Sequence, residues 1–186
     1  MLDHATTSIR GLTQITTALR RQSRTQETLV EAVDLNELID ESMILCKAKL
    51  TVFQVRFNRG AVDAVEIMPV RLCQVFINLI TNAVDQLESH SQTLPENKKN
   101  TFTGIIEIST QTTTRANKQG VMIQVKDNAG GIPEDVMEHI FDEFYTTKKL
   151  GEGTGLGLHL AKTIIEEYHG EIATRNNPDF GGAEFT

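Results

Sequence analysis

Gly151-Glu152-Gly153-Thr154-Gly155-Leu156-Gly157-Leu158 places four glycines at alternate positions directly ahead of a helical pattern that continues to about Tyr168. Amides in such a segment can turn toward phosphate oxygens, and a helix N-terminus adds partial positive charge. Two common phosphate-binding folds do not fit. A Walker loop needs Gly-Lys-Ser/Thr, and no such triplet follows here. A dinucleotide-binding turn follows a strand inside a parallel βαβ unit, whereas the residues ahead of this one, Thr146 to Gly153, are almost devoid of apolar side chains. That polar stretch suits a mobile cover. Lys148 within it has two readings, a cation reaching a phosphate or ordinary surface charge.

Further upstream, Phe141-Asp-Glu-Phe144 offers two aromatics that read as core anchors. Before it, Asp127-Asn-Ala-Gly-Gly131-Ile132-Pro133 follows directly on a strand pattern. Two glycines after an acid make a tight turn. Alternatively, the strand-end carboxylate accepts a hydrogen bond from the exocyclic amine of adenine. It would then reject guanine, which has a carbonyl there. Earlier still, Asn78 and Asn82 lie four apart on an otherwise apolar helix, so their amides share a face. They read either as a helix-packing or solvated pair, or as oxygen donors to Mg²⁺ held jointly with phosphates.

Around these segments the periodicity predicts a helical stripe from Leu2 to about Arg24, a polar linker, and a strand at Leu29 to Val33. Asp34-Leu-Asn-Glu37 is an N-cap with Glu at N3, opening a helix to about Leu50. Strands follow at Thr51–Phe57 and Ala64–Ile67, then a long helix from Pro69 with Val70, Cys73, Phe76, Ile77, Ile80, Val84 and Leu87 on its apolar side. Glu88 to Thr103 reads as a loop. Strands at 104–110 and 121–126, a short helix after Pro133, the helix from Thr154, and strands at 171–175 and 183–186 complete the chain. Strands set against helices give an α+β fold, a two-layer sandwich with an N-terminal helical stub.

The length of 186 residues suits one domain, residues 29–186, preceded by a short extension, residues 1–28. A net charge of −7 argues against a nucleic-acid-binding face but allows a nucleotide held by backbone amides. Cys46 and Cys73 lack metal-type spacing and read as buried thiols of a reducing compartment. No apolar run approaches the roughly 18 residues of a membrane span, so no membrane contact by this piece is expected.

The four pieces in this order resemble a known set. Asn78-Leu-Ile-Thr-Asn82-Ala83 looks like the N box of sensor histidine kinases, and Asp127-Asn-Ala-Gly-Gly131-Ile132 like their first glycine box. Phe141-Asp-Glu-Phe144 is similar to their F box, and Gly153-Thr-Gly-Leu-Gly-Leu158 to their second glycine box. The resemblance spans roughly Leu35 to Thr186 and implies the Bergerat ATP-binding fold of the GHKL superfamily, shared with gyrase, mismatch-repair ATPases and a heat-shock chaperone family. It implies ATP and Mg²⁺ as cofactors, with Asn82 the principal metal ligand and Asn78 beside it. Asp127 would recognise adenine, with Gly131 and Ile132 of its box lining the site. Gly153, Thr154, Gly155, Leu156, Gly157 and Leu158 would face the phosphates, with Lys148 assisting, and Thr186 would help fix the adenine through water.

The ATP-hydrolysing relatives place a Glu where this chain has Asn78, and that Glu activates water. An amide takes no proton near neutral pH, which favours phosphoryl transfer to an external acceptor, a protein-histidine kinase. Two departures stand out. Asp85 occupies a position where many relatives carry a base. None of His4, His90, His139, His159 or His169 is followed by the acid and proline of a phosphoacceptor box. The expectation is a catalytic fragment whose acceptor histidine lies outside it. Residues 1–28 are read as the end of a dimerisation helix and its linker, capable of pairing with a second copy. The implied partners are a dimerisation and phosphoacceptor domain and a response regulator, in the cytoplasm.

Overall fold

The computed structural model describes residues 29–115, 118–149 and 153–186. The helical stripe expected over residues 2–24, and the dimerisation role given to it, lie outside the described residues. Strand β1 (Glu31–Val33) pairs antiparallel with β3 (Val65–Ile67) as a small separate ribbon. Helix α1 (Leu35–Leu45) starts where the sequence places its cap: Asp34 Oδ1 accepts from the amides of Asn36 and Glu37 at 2.8 and 3.3 Å. A turn at Cys46 separates it from α2 (Lys47–Leu50).

The main sheet has the order β2-β4-β5-β7-β6, built from β2 (Gln54–Asn58), β4 (Ile105–Arg115), β5 (Lys118–Asp127), β6 (Thr174–Asn177) and β7 (Gly182–Phe185). Among the described residues only β2 and β4 run parallel; the other pairs of this sheet are antiparallel. The long helix is α3 (Pro69–Thr93), and two short helices, α4 (Glu96–Lys99) and α5 (Glu134–Met137), lie in the connections after it. Helix α3 packs on β4 and β5 and is flanked by α1 and α6 (Gly157–Glu167). This is the expected two-layer α+β sandwich.

The core lies between the layers. Leu72, Val75, Phe76, Leu79, Ile80, Ala83, Val84 and Leu87 of α3 recur at helical spacing and meet Ile106, Ile108 and Val125 of the sheet. Val70, expected on that face, is 43% exposed because it lies nearly half a turn round the helix from Leu72, away from the buried stripe. The loop expected over residues 88–103 is corrected: α3 continues to Thr93, and α4 follows. The apolar stripe does end at Leu87, but nothing in Glu88-Ser-His-Ser-Gln-Thr93 breaks a helix, and the stop comes just before Pro95. Strand β6 begins at Thr174 rather than 171, because pairing with the end of β7 starts only at Ala173, whose N–H and C=O both bond Thr186. Both thiols are free; Cys46 is buried and Cys73 half-buried. Burial pushes the Cys46 thiol up, Cys73 adding to this and Lys49 opposing it.

The outer face of the sheet is polar and has one deeply buried acid. Glu184 on β7 is 1% exposed and accepts from Gln124 (3.0 Å), Arg175 (2.9 Å) and Asn177 (2.6 Å). Burial alone would raise its pKa, but the bonds from Asn177 and Arg175 and the charges of Arg175 and Lys126 outweigh it, leaving the carboxyl below its usual range. Stability from this group is therefore present above the unfolded-state pKa and lost as pH falls through the lower folded value. Glu184→Gln is expected to cost about 1–3 kcal/mol at pH 7 in urea unfolding, with the gap to wild type narrowing toward pH 3. A gap that widened in acid would refute the assignment.

Candidate functional site

The residues singled out by the sequence fall mainly in two groups, one at the end of β5 and one where α3 meets the N-terminus of α6. At one end is Asp127, the last residue of β5 and only 3% exposed. Its Oδ1 accepts from the amides of Ala129 (2.9 Å) and Ala183 (3.4 Å). Its Oδ2 accepts no hydrogen bond among the described residues. Burial pushes the carboxyl up; the two amides and the nearby His90 only partly offset this. A buried carboxylate with one oxygen satisfied and one spare is costly unless a donor completes it. Such an oxygen is suited to a ligand N–H.

The loop after Asp127 is fixed from three directions. Asn176 of β6 accepts from Ile132 N–H at 2.7 Å and donates to Ile132 C=O at 2.8 Å. The Gly130 amide donates to Gly181 C=O at 2.9 Å. Asn128 accepts from Ile105 N–H at 2.7 Å and donates to Thr103 C=O at 3.0 Å. Gly131 and Ile132 are thereby held rigidly beside the acid. Gly182 is required by close approach: a Cβ there would lie 2.1 Å from the carbonyl oxygen of Asp127. Gly182→Ala is expected to cost about 3 kcal/mol in thermal or urea unfolding, while Gly120→Ala, with nothing within 4 Å, is expected to stay within about 0.5 kcal/mol. Equal effects would refute the close packing at Asp127.

At the other end, Asn78 and Asn82 share the face of α3 turned toward α6. The Asn78 amide donates to Gly157 C=O at 2.8 Å, and its oxygen accepts from Gln74 at 3.1 Å. Asn78 thus ties α3 to the start of α6. Asn82, one turn on and half-buried, makes no side-chain hydrogen bond among the described residues. Helix α6 begins with Leu156 as its N-cap and no side chain capping the first turn. The amides of Gly157 and Leu158 are therefore open at the positive end of the helix dipole, next to the asparagines. Thr154 instead receives the Leu156 N–H at 3.4 Å and shapes the approach. Gly153 precedes it, and Gly155 takes φ +65°.

Gly155 presses on the F-box segment: a Cβ would fall 2.3 Å from the carbonyl carbon of Phe144. Phe144 itself has φ +65° and is 65% exposed. The expectation of a core anchor holds for Phe141, which packs edge-on to Phe185 at 6.4 Å, and is corrected for Phe144. Its left-handed backbone, squeezed against Gly155, turns the ring outward. Lys148 reaches α3, bonding Asp85. The structure brings Ala183, rather than Thr186, to Asp127. Thr186 sits three residues further along, and alternation along β7 puts its side chain on the opposite face from Ala183. Asn176, Ala183, Gln74 and His90 have no signal in the sequence; single polar or small residues in short strands and helix ends carry no periodic signature.

Residues 68–186 match the family of histidine kinase-, DNA gyrase B- and HSP90-like ATPases. The chain belongs to that family. Its similarity is to the sensor histidine kinases within it. It is 34% identical to the sensor histidine kinase ZraS of Escherichia coli O157:H7, over 84% of this chain and 31% of that protein. It is 29% identical to the signal transduction histidine-protein kinase AtoS of Escherichia coli K12, over 96% of this chain and 27% of that protein. The chain thus spans about a third of the length of the curated relatives it matches. Among solved structures, the nucleotide-free catalytic domain of histidine kinase ThkA matches with TM-score 0.64 at 32% identity, covering 84% of this chain and 91% of that one. Full-length ShkA shares the fold over 98% of this chain, with TM-score 0.69 at 17% identity. This is a histidine kinase ATP-binding catalytic domain.

Proposed function

We propose that the domain binds ATP with Mg²⁺ in a site running from Asp127 to the start of α6 and transfers the γ-phosphoryl group to a histidine outside this chain. The observation that carries this reading is the pairing of opposite chemistries at its two ends. Asp127 offers to the adenine amine one carboxylate oxygen that accepts no hydrogen bond among the described residues. Some distance along α3, Asn82 and the uncapped start of α6 offer an amide oxygen and backbone N–H groups to the triphosphate. Guanine would set a carbonyl against the Asp127 carboxylate and be rejected.

Among the described residues no group of three or more His, Cys, Asp or Glu is placed to hold a metal ion, so Mg²⁺ would rely on nucleotide oxygens together with Asn82. The ion's chemistry when bound is to neutralise charge on the β- and γ-phosphates. Asn78, its amide already engaged by Gly157 and Gln74, holds α6 against α3 and has no basic atom for activating water. In transfer, the bond between the γ-phosphorus and the β–γ bridging oxygen breaks, a P–N bond forms at the acceptor imidazole, and ADP leaves with the bridging oxygen. A response regulator would then take the phosphoryl group. A cytoplasmic setting follows from the use of ATP; among the described residues no helix is long and apolar enough to cross a membrane.

The test is to mix the domain with a separate histidine-bearing dimerisation domain and γ-labelled ATP. Acid-labile phosphohistidine on the dimerisation domain is the expected product. ATP bound but no phosphohistidine formed would refute transfer. Steady ATP turnover without any acceptor would favour an ATPase instead.

A further inference from the structure

Asp85 lies three residues beyond Asn82 on α3, on the same face. Its two oxygens are taken by lysines from different elements: Oδ2 by Lys148 of the segment ahead of the second glycine box, and Oδ1 by Lys49 of α2 at 3.5 Å. The side chains of Asp85 and Lys148 are each only 28% exposed, so this pair is more sheltered than an ordinary surface contact. Two lysines against one carboxylate leave one unit of positive charge beside the asparagines. The Lys148 side chain also passes close to the second glycine box: a Cβ on Gly153 would lie 3.0 Å from its Cδ. Little else holds this lysine. The stretch Thr146-Thr147-Lys148-Lys149 has no apolar side chain to anchor it, and the Lys148 N–H bonds only the Thr146 hydroxyl among the described residues, at 3.2 Å.

We infer that Asp85 is a positioning residue for phosphate recognition, holding Lys148 against α3 one turn beyond Asn82. The helix supplies the anchor, and the cation arrives from the neighbouring segment. A free lysine loses rotamer freedom when it meets a phosphate; one already fixed by Asp85 loses less. The inference rests on the nucleotide site proposed above.

A double-mutant cycle tests it, with ATP and adenosine titrated calorimetrically into the chain. Lys148→Met is expected to weaken ATP binding about tenfold in the wild-type background and less than about twofold in Asp85→Asn. Asp85→Glu, which keeps the anchor, is expected to restore the sensitivity to Lys148→Met, and adenosine affinity is expected to stay the same throughout. Equal losses in both backgrounds, or no loss from Lys148→Met in the wild type, would overturn the inference. Failure of the wild type to bind ATP would instead overturn the nucleotide site itself.

Discussion

Asp127→Asn is expected to weaken ATP binding by at least about 100-fold, with a melting temperature equal to or above that of the wild type. The two effects have one origin. The substituted amide can keep its oxygen toward the Ala129 and Ala183 N–H groups, so the loop stays in place. Its NH₂ then points where Oδ2 was and meets the adenine amine donor to donor, leaving two polar groups unpaired. The same change removes a buried charge that the free protein only half compensates. Because burial raises the Asp127 pKa in the folded state, the native protein holds this proton more tightly than the unfolded chain. Stability from this group is therefore fully present below the unfolded-state pKa and is lost as pH rises through the raised folded value. In the wild type, ATP affinity should fall on acidification through that raised pKa, and in Asp127→Asn this pH dependence should vanish. Unchanged affinity in calorimetry would show that the adenine lies elsewhere.

Asn82→Ala is expected to lower phosphoryl transfer by about 100-fold or more, by analogy with the loss of one preorganised electrostatic contact to a reacting group. The fold should survive, because the Asn82 amide has no hydrogen bond among the described residues to lose. The informative comparison is binding with and without Mg²⁺. Removal of a metal ligand should reduce affinity in the presence of Mg²⁺ and leave metal-free ATP binding nearly unchanged. Equal loss under both conditions would assign Asn82 to the nucleotide directly. Asn78→Ala should behave differently, destabilising the fold because it leaves Gly157 C=O and Gln74 without their partner.

Much of this site is legible in the sequence because its parts have local causes. Asp34 caps α1 through a bond spanning only two residues, and α3 announces its buried face by periodicity from Leu72 to Leu87. The glycine-rich run marks the start of α6 because an open helix N-terminus needs unobstructed backbone. What the sequence hides depends on contacts between distant segments. Asn176 clamps Ile132 from 44 residues away, and nothing in Arg175-Asn-Asn177 distinguishes it from a solvated turn. Pairing of Val125 with Phe185 fixes the register so that the Ala183 N–H meets Asp127. Register is set by the whole sheet and is not visible in one strand. Phe144 is hidden for a related reason: its exposure follows from a left-handed backbone pressed against Gly155, beyond the polar stretch that separates them.

The most direct measurement is an amide-resolved NMR titration with Mg·ATP. Saturable shifts are expected at Ala129 and Ala183, which flank the adenine-facing acid, and at Gly157 and Leu158, which face the triphosphate, with adenosine moving only the first pair. Spectra that stay still at millimolar Mg·ATP, or shifts confined to other residues, would contradict a nucleotide held between Asp127 and the head of α6.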